Sequence, residues 1–258
     1  MRILVTFAVE AEFAPWRERH DFHSAETSSN VTVYAAKISG VDVFVGLTGI
    51  GPKAAKSRIC GFTWCEDLDI CISSGFAGAL RSEYQIGDIL AAREILRDES
   101  RETKLGSKVL STERLLQVAR ESGATVVERF YSSPLTVRTA EEKKSLSHIA
   151  EAVEMESLEI LEEALLWTRE VVAIRAISDS AEEDLPLDFD AVVTDDGRLS
   201  VVRLAGEIIR NPTAIPGLVR LGRRSAEAAN RLADFLDSYI AVLAPKSLLA
   251  RLGRSLAR

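Results

Sequence analysis

A chain of 258 residues with 47% apolar side chains has room for one sizeable core, and its net charge of −7 argues against general nucleic-acid binding. The charge is uneven: residues 198 to 258 carry eleven Arg and Lys against four Asp and Glu, a net of +7, which leaves the preceding part at −14. No apolar run is long enough to cross a bilayer, and Met1-Arg2 leads straight into a strand-like stretch without a signal-peptide pattern, so a cytoplasmic protein is expected. In chain order, the residue pattern predicts a strand over 2–8, strands over 31–38 and 41–47 joined as a hairpin around Gly40, and a helix over 52–65. Strands over 69–73 and 87–95 follow, then helices over 112–122, 139–150 and 155–168, a strand over 171–177 and a helix over 223–243. This alternation predicts an α/β fold: a single domain over 1–244 with a central twisted mixed β-sheet flanked by helices. Residues 245–258 read as a basic amphipathic tail, with Leu248, Leu249, Leu252 and Leu256 near one helical face and Lys246, Arg251, Arg254 and Arg258 unaccompanied by any acid. Cys60, Cys65 and Cys71 are odd in number and have no His nearby, so they are expected to be reduced packing residues.

The chemistry sits in acids and glycines at the ends of these elements. Thr48-Gly49-Ile50-Gly51-Pro52 and Ser74-Gly75-Phe76-Ala77-Gly78 each follow a strand and can bring backbone N–H groups to a ligand, but neither has the dinucleotide or Walker spacing. Val153-Glu154-Met155-Glu156-Ser157, and later Arg175-Ala176-Ile177-Ser178-Asp179, place two close acids, a thioether and a further Asp at element ends. Cleaving a ribosyl bond builds positive charge on the sugar and negative charge on the departing base, so it needs a proton donor at the base and anionic groups near the sugar. Each acid also has an ordinary explanation. Glu12 and Glu156 at helix starts suit the helix dipole, and Asp179 at a strand end suits a turn cap. His20, His23 and His148 have no motif around them and read as surface residues.

Taken in order and context, Ala8-Val9-Glu10-Ala11-Glu12, the Glu-Met-Glu segment and Arg-Ala-Ile-Ser-Asp resemble the 5'-methylthioadenosine/S-adenosylhomocysteine nucleosidases of the nucleoside phosphorylase superfamily. The resemblance implies an enzyme, a purine nucleoside N-ribohydrolase, with Glu12 as the base that activates water and Asp179 as the acid that protonates purine N7. It further implies that Glu156 binds the ribose hydroxyls, Met155 lies along the sugar, Ser178 orients Asp179, and Gly75, Phe76 and Val137 contact the substrate, with Glu154 structural. It implies no cofactor, no metal, and a homodimer. Thr136 stands where the family commonly has an aromatic residue, leaving Phe130, Tyr131 or Phe76 to supply a ring for the base. A first-loop carboxylate would repel phosphate and suits hydrolysis; Arg81 and Arg138 keep phosphorolysis open.

Residues 185–189 and 210–221 look more like the hopanoid-associated branch, which implies adenosylhopane as an alternative substrate and peripheral contact with a membrane. A non-catalytic nucleoside-binding protein is the remaining alternative, and the intact Glu12, Glu156 and Asp179 argue against it.

Overall fold

The computed structural model describes residues 1–25, 33–61, 67–97 and 107–244. The tail over 245–258, residues 31–32 of the strand expected over 31–38, and residues 62–65 of the helix expected over 52–65, Cys65 among them, lie outside the described residues, and within the described ones that helix ends at Ile59. Strand β1 (Arg2–Phe7) sends Ile3, Val5 and Phe7 into one core and Leu4 into the opposite one, the period-two pattern of a strand covered on both faces. It lies between two parallel partners, β4 (Val41–Leu47) and β5 (Ile70–Ser73). Outside β4 come β3 (Val33–Ile38) and β2 (His23–Ala25), each antiparallel to its neighbour. The β3–β4 connection is the expected hairpin, with Ser39 at φ 50° and Gly40 at φ 81° providing the left-handed pair that a tight two-residue turn requires.

Beyond β5 runs the ten-residue strand β11 (Glu170–Asp179). It pairs in parallel with β5 through its first half and with β6 (Phe76–Ala79) through its second, and antiparallel with β7 (Ile89–Arg97) on its other edge. Strand β10 (Ala152–Glu154) connects β6 to β9 (Thr125–Ser132), and β9 returns to β7, so this half of the sheet curls back onto β11; β8 (Ser107–Leu110) pairs outside β7. The mixed sheet flanked by helices is therefore borne out. Helices α1 (Glu10–Arg17), α3 (Glu113–Glu121) and α8 (Ile215–Leu243) cover one face, while α2 (Pro52–Ile59) and α5 (Ser157–Ala164) cover the other. Helices α4 (Ala140–Leu146), α6 (Phe189–Val192) and α7 (Val201–Arg210) contribute no residue to either of these two cores.

Three sequence expectations need correction. His20 is half-buried against Trp16 and Phe22, with Nε2 2.6 Å from Asp237 Oδ1, the same oxygen that accepts from Trp16 Nε1 at 2.7 Å; it ties α1 to α8 rather than lying free on the surface. Cys71 is a core residue as expected, but Cys60 is exposed where α2 ends. The last helix starts at Ile215 instead of residue 223, because Pro216 falls in its first turn, where no intrahelical N–H bond is lost.

Candidate active site

The loops that follow β1, β4, β5, β10 and β11 converge at the carboxyl ends of these strands, where open α/β sheets form their crevices. They enclose a cavity of about 310 Å³, within the range of small-molecule sites. Glu12, Phe76, Val137, Met155, Glu156, Ser178 and Asp179 all line it. Gly75, the remaining residue singled out from the sequence, lies behind Glu12.

Glu12 sits in the first turn of α1 and folds back over the chain entry. Its Oε2 accepts from the N–H groups of Ala8 at 2.8 Å and Val9 at 3.1 Å, and Oε1 accepts from the N–H of Phe76 at 2.9 Å. Gly75 makes this possible: a Cβ there would stand 2.7 Å from Oε1, and its φ of +137° disfavours any other residue. Burial raises the Glu12 carboxyl above its ordinary value, against the opposing pull of the Phe76 N–H, Arg175 and the first-loop N–H groups. A carboxylate raised in this way is a stronger proton acceptor than an ordinary one.

Glu156 stands at the N-cap position of α5 without a side-chain capping bond and reaches across to the glycine loop after β4, where Oε1 accepts from the N–H of Gly51 at 2.9 Å. Beneath it lies a fully buried ion pair. Arg175 Nη2 donates to Glu154 Oε2 at 2.7 Å and to Ser157 Oγ at 2.9 Å, and the same Glu154 oxygen accepts from the N–H groups of Glu156 and Ser157. For Glu154, burial opposes ionisation, but Arg175 and these N–H groups outweigh it and hold the carboxyl below its ordinary value. Glu156 receives the opposite treatment: burial first, and then the neighbouring Glu154 charge, push it up to about 8, with Arg175 3.8 Å away only partly offsetting them. Arg175 thus belongs to the scaffold of the two acids. Sequence reading quoted it without giving it a role.

Asp179 ends β11 at a bulge in its pairing with β6. Its Oδ1 accepts from Ser178 Oγ at 2.9 Å, and its Oδ2 from the Nζ of Lys143 at 2.6 Å. A Cβ on Gly78 would come within 2.8 Å of Oδ2, so the carboxylate lies directly over that glycine. Lys143 is completely buried, and its remaining protons go to the carbonyls of Ser180 at 2.7 Å and Glu183 at 3.1 Å. Sequence reading missed it because a Lys on a short polar helix looks solvated. The available signal was Thr139-Ala140-Glu141-Glu142, a capping box in which Thr139 Oγ1 accepts from the Glu142 N–H and the Glu142 carboxylate accepts from the Thr139 N–H. It fixes where α4 starts, and hence which face Lys143 occupies.

Thr136 Oγ1 donates to Asp190 at 2.7 Å and lies 3.9 Å from Met155 Sδ, which holds the thioether at the cavity wall. Of the three rings expected near the base, Phe76 lines the cavity, whereas Phe130 is sealed in the core and Tyr131 opens onto a neighbouring surface cleft. The ring that sequence reading overlooked is Phe189 of α6. Arg81 is bound to Glu151 at 2.7 Å and Arg138 to Asp188 at 3.0 Å, and neither lines the cavity. Its described lining contains no Lys, Arg or His at all. Among the described residues, no group of three or more His, Cys, Asp or Glu side chains is placed to hold a metal ion.

The family model described as Phosphorylase superfamily matches residues 2–210. The chain belongs to this superfamily. As a phosphorylase-superfamily member it is similar to the 5'-methylthioadenosine/S-adenosylhomocysteine nucleosidase of Shewanella halifaxensis, at 26% identity over 224 residues that cover 78% of this chain and 96% of the relative. The Shewanella baltica enzyme of the same name is 26% identical over 240 residues, covering 83% of this chain and all of the relative. Among solved structures, the S-adenosylhomocysteine nucleosidase of Streptococcus pyogenes superposes with a TM-score of 0.70 at 16% identity, covering 95% of this chain and 98% of that one. The futalosine hydrolase of Helicobacter pylori gives 0.70 at 18% identity, covering 93% and 97%. These superpositions bear out the superfamily fold.

Proposed function

We propose that this superfamily member hydrolyses the N-glycosidic bond of an adenine nucleoside, with methylthioadenosine-like compounds as substrates. The observation that carries the reading is the convergence of Glu12, Glu156 and Asp179 on one cavity with no basic residue in its described lining. In this reading Glu12 takes a proton from the attacking water, and Glu156 holds the ribose hydroxyls under the developing positive charge of the sugar. Asp179 serves the nitrogen of the departing base, while Phe76 and Phe189 offer its faces an apolar wall. Phosphate as acceptor would require cationic or N–H-rich recognition; the N–H groups at the first loop are already occupied by Glu12, and Arg81 and Arg138 are paired elsewhere. Purified protein incubated with methylthioadenosine, S-adenosylhomocysteine, adenosine and inosine, with and without phosphate, should release adenine and free sugar at a rate independent of phosphate. Ribose 1-phosphate formation that depends on phosphate would reverse the choice of acceptor, and turnover of none of the four would remove the reading.

A second reading, a lipid-linked adenine nucleoside met at a membrane surface, is favoured by α7. This amphipathic helix leaves Val201, Val202 and Ile209 at 78%, 83% and 80% exposure, beside Leu199, which lines the cavity. Arg203 and Arg210 of α7, and Arg220 and Arg223 of α8, provide the charge that an anionic lipid surface attracts. A 540 Å³ cleft shares Ala8, Val9, Ala11 and Leu199 with the cavity and gives a long substituent a way out on the side away from Asp179. Among the described residues no helix is long and apolar enough to cross a membrane, so contact would be peripheral. The homodimer implied by the resemblance belongs to the same proposal, and sedimentation equilibrium tests it.

A further inference from the structure

The general acid of the proposed reaction stands against a buried cation. Lys143 Nζ has three protons and three acceptors: Asp179 Oδ2 at 2.6 Å and the carbonyls of Ser180 and Glu183. Its side chain is fully buried and does not line the cavity, whereas Asp179 does. Lys143 therefore touches substrate only through Asp179. The carboxylate has little freedom of its own, since Ser178 Oγ holds Oδ1 and the bare Gly78 backbone lies beneath Oδ2. A carboxylate paired this closely with an ammonium carries no proton of its own to give to a departing base, yet the pair as a whole carries one.

We propose that Lys143 is the positioning residue of the general acid: it orients Asp179 and stores, on Nζ, the proton with which the base departs. This rests on the reading of Asp179 as the group that serves the base. As the glycosidic C–N electron pair withdraws into the base, one proton leaves Nζ for Asp179 and passes on from Asp179 to the base nitrogen. Asp179 ends as a carboxylate once that proton has moved through, and Lys143 ends as a neutral amine that still donates to Ser180 and Glu183. The proton of the attacking water goes to Glu12. Exchange with solvent then discharges Glu12 and recharges Lys143, so the cycle closes with water as the only co-reactant.

The surroundings fit a stored proton rather than a fixed salt link. Of the charged groups around the pair, Arg224 of α8 pairs with the Glu183 carboxylate, Asp184 accepts from the N–H of Ala140, and Glu142 is used in capping α4, while Glu182 and Arg220 line the adjoining cleft with Asp179. Two backbone carbonyls remain as acceptors for the amine after it gives up its proton, so the neutral form is not left without partners.

The test separates proton supply from support of the fold. Lys143→Met, and Lys143→Gln in case the first variant folds poorly, are compared with wild type on methylthioadenosine and on 4-nitrophenyl riboside, whose phenolate leaves without needing a proton. The loss on methylthioadenosine should exceed the loss on the nitrophenyl substrate by about 10²-fold, the usual worth of general acid catalysis. Equal losses on the two substrates in variants with a native circular dichroism spectrum would overturn the proposal. Failure of wild type to release adenine would instead remove the underlying reading of the site, and this proposal with it.

Discussion

Glu156→Gln should make the protein more stable at pH 8 while disabling its site. In the native state the Glu156 carboxyl is pushed up to about 8 from an ordinary value of 4.5, by burial and then by the Glu154 charge. A carboxyl raised in the folded state keeps a proton that the unfolded chain has released, so stability is full below about pH 4.5 and falls as pH rises towards about 8. At 1.36 kcal/mol per unit the whole gap corresponds to about 5 kcal/mol. Gln escapes this loss and still accepts from Gly51 through its carbonyl oxygen, but its amide N–H group then faces Arg175, 3.8 Å from the present Oε2, which offsets roughly half. A net gain of about 2 kcal/mol at pH 8 follows, or roughly 5 °C in Tm for a chain of this size, with little or no gain at pH 5. Over the same substitution, kcat/KM on methylthioadenosine should fall by about 10-fold, the cost of replacing a carboxyl that can both accept from and donate to the ribose hydroxyls by an amide with a different donor pattern. Scanning calorimetry at pH 5, 6.5 and 8, alongside initial rates, reads both effects. A Tm at pH 8 equal to or below that of wild type would refute the reasoning, because it would mean that the carboxylate is well accommodated where it lies.

Gly75→Ala places a methyl group 2.7 Å from Glu12 Oε1 and a side chain at φ +137°, so kcat should fall about 10²-fold with roughly 1–3 kcal/mol lost in stability; unchanged turnover would break the link between Glu12 geometry and water activation. Asp179→Asn should lower adenine release by about 10²- to 10⁴-fold and also lower Tm, because it leaves the Lys143 ammonium without its counter-charge; near-wild-type rates would remove Asp179 from the chemistry. For the membrane reading, Ile209→Glu and deletion of residues 245–258 should each weaken salt-sensitive binding to anionic vesicles while leaving adenine release from small nucleosides within about twofold; a wild-type protein that ignores such vesicles at low salt would favour a freely diffusing substrate.

The sequence by itself determined the layers. The near-continuous apolar runs of β1 and β11 mark strands buried on both faces, the alternation along β4 marks a half-buried one, and the turn at Gly40 marks the hairpin, because these signals are local. The acidic residues were legible too, since Glu12, Glu156 and Asp179 stand at element ends where motif spacing survives without knowledge of packing. Short elements were not: β6 and β10 have four and three residues, too few to show a period, and they form because β11 and β9 offer them an edge. Nor could the sequence decide which acid would be ionised. Glu154 and Glu156 are two residues apart and chemically identical, and only the arrival of Arg175 from β11 holds one below its ordinary value while the other is pushed up. Lys143 shows the same limit most plainly. A lysine on a polar helix becomes a buried partner of Asp179 only when residues 36 apart in the chain are brought to 2.6 Å, and electrostatics at that range belongs to the tertiary structure.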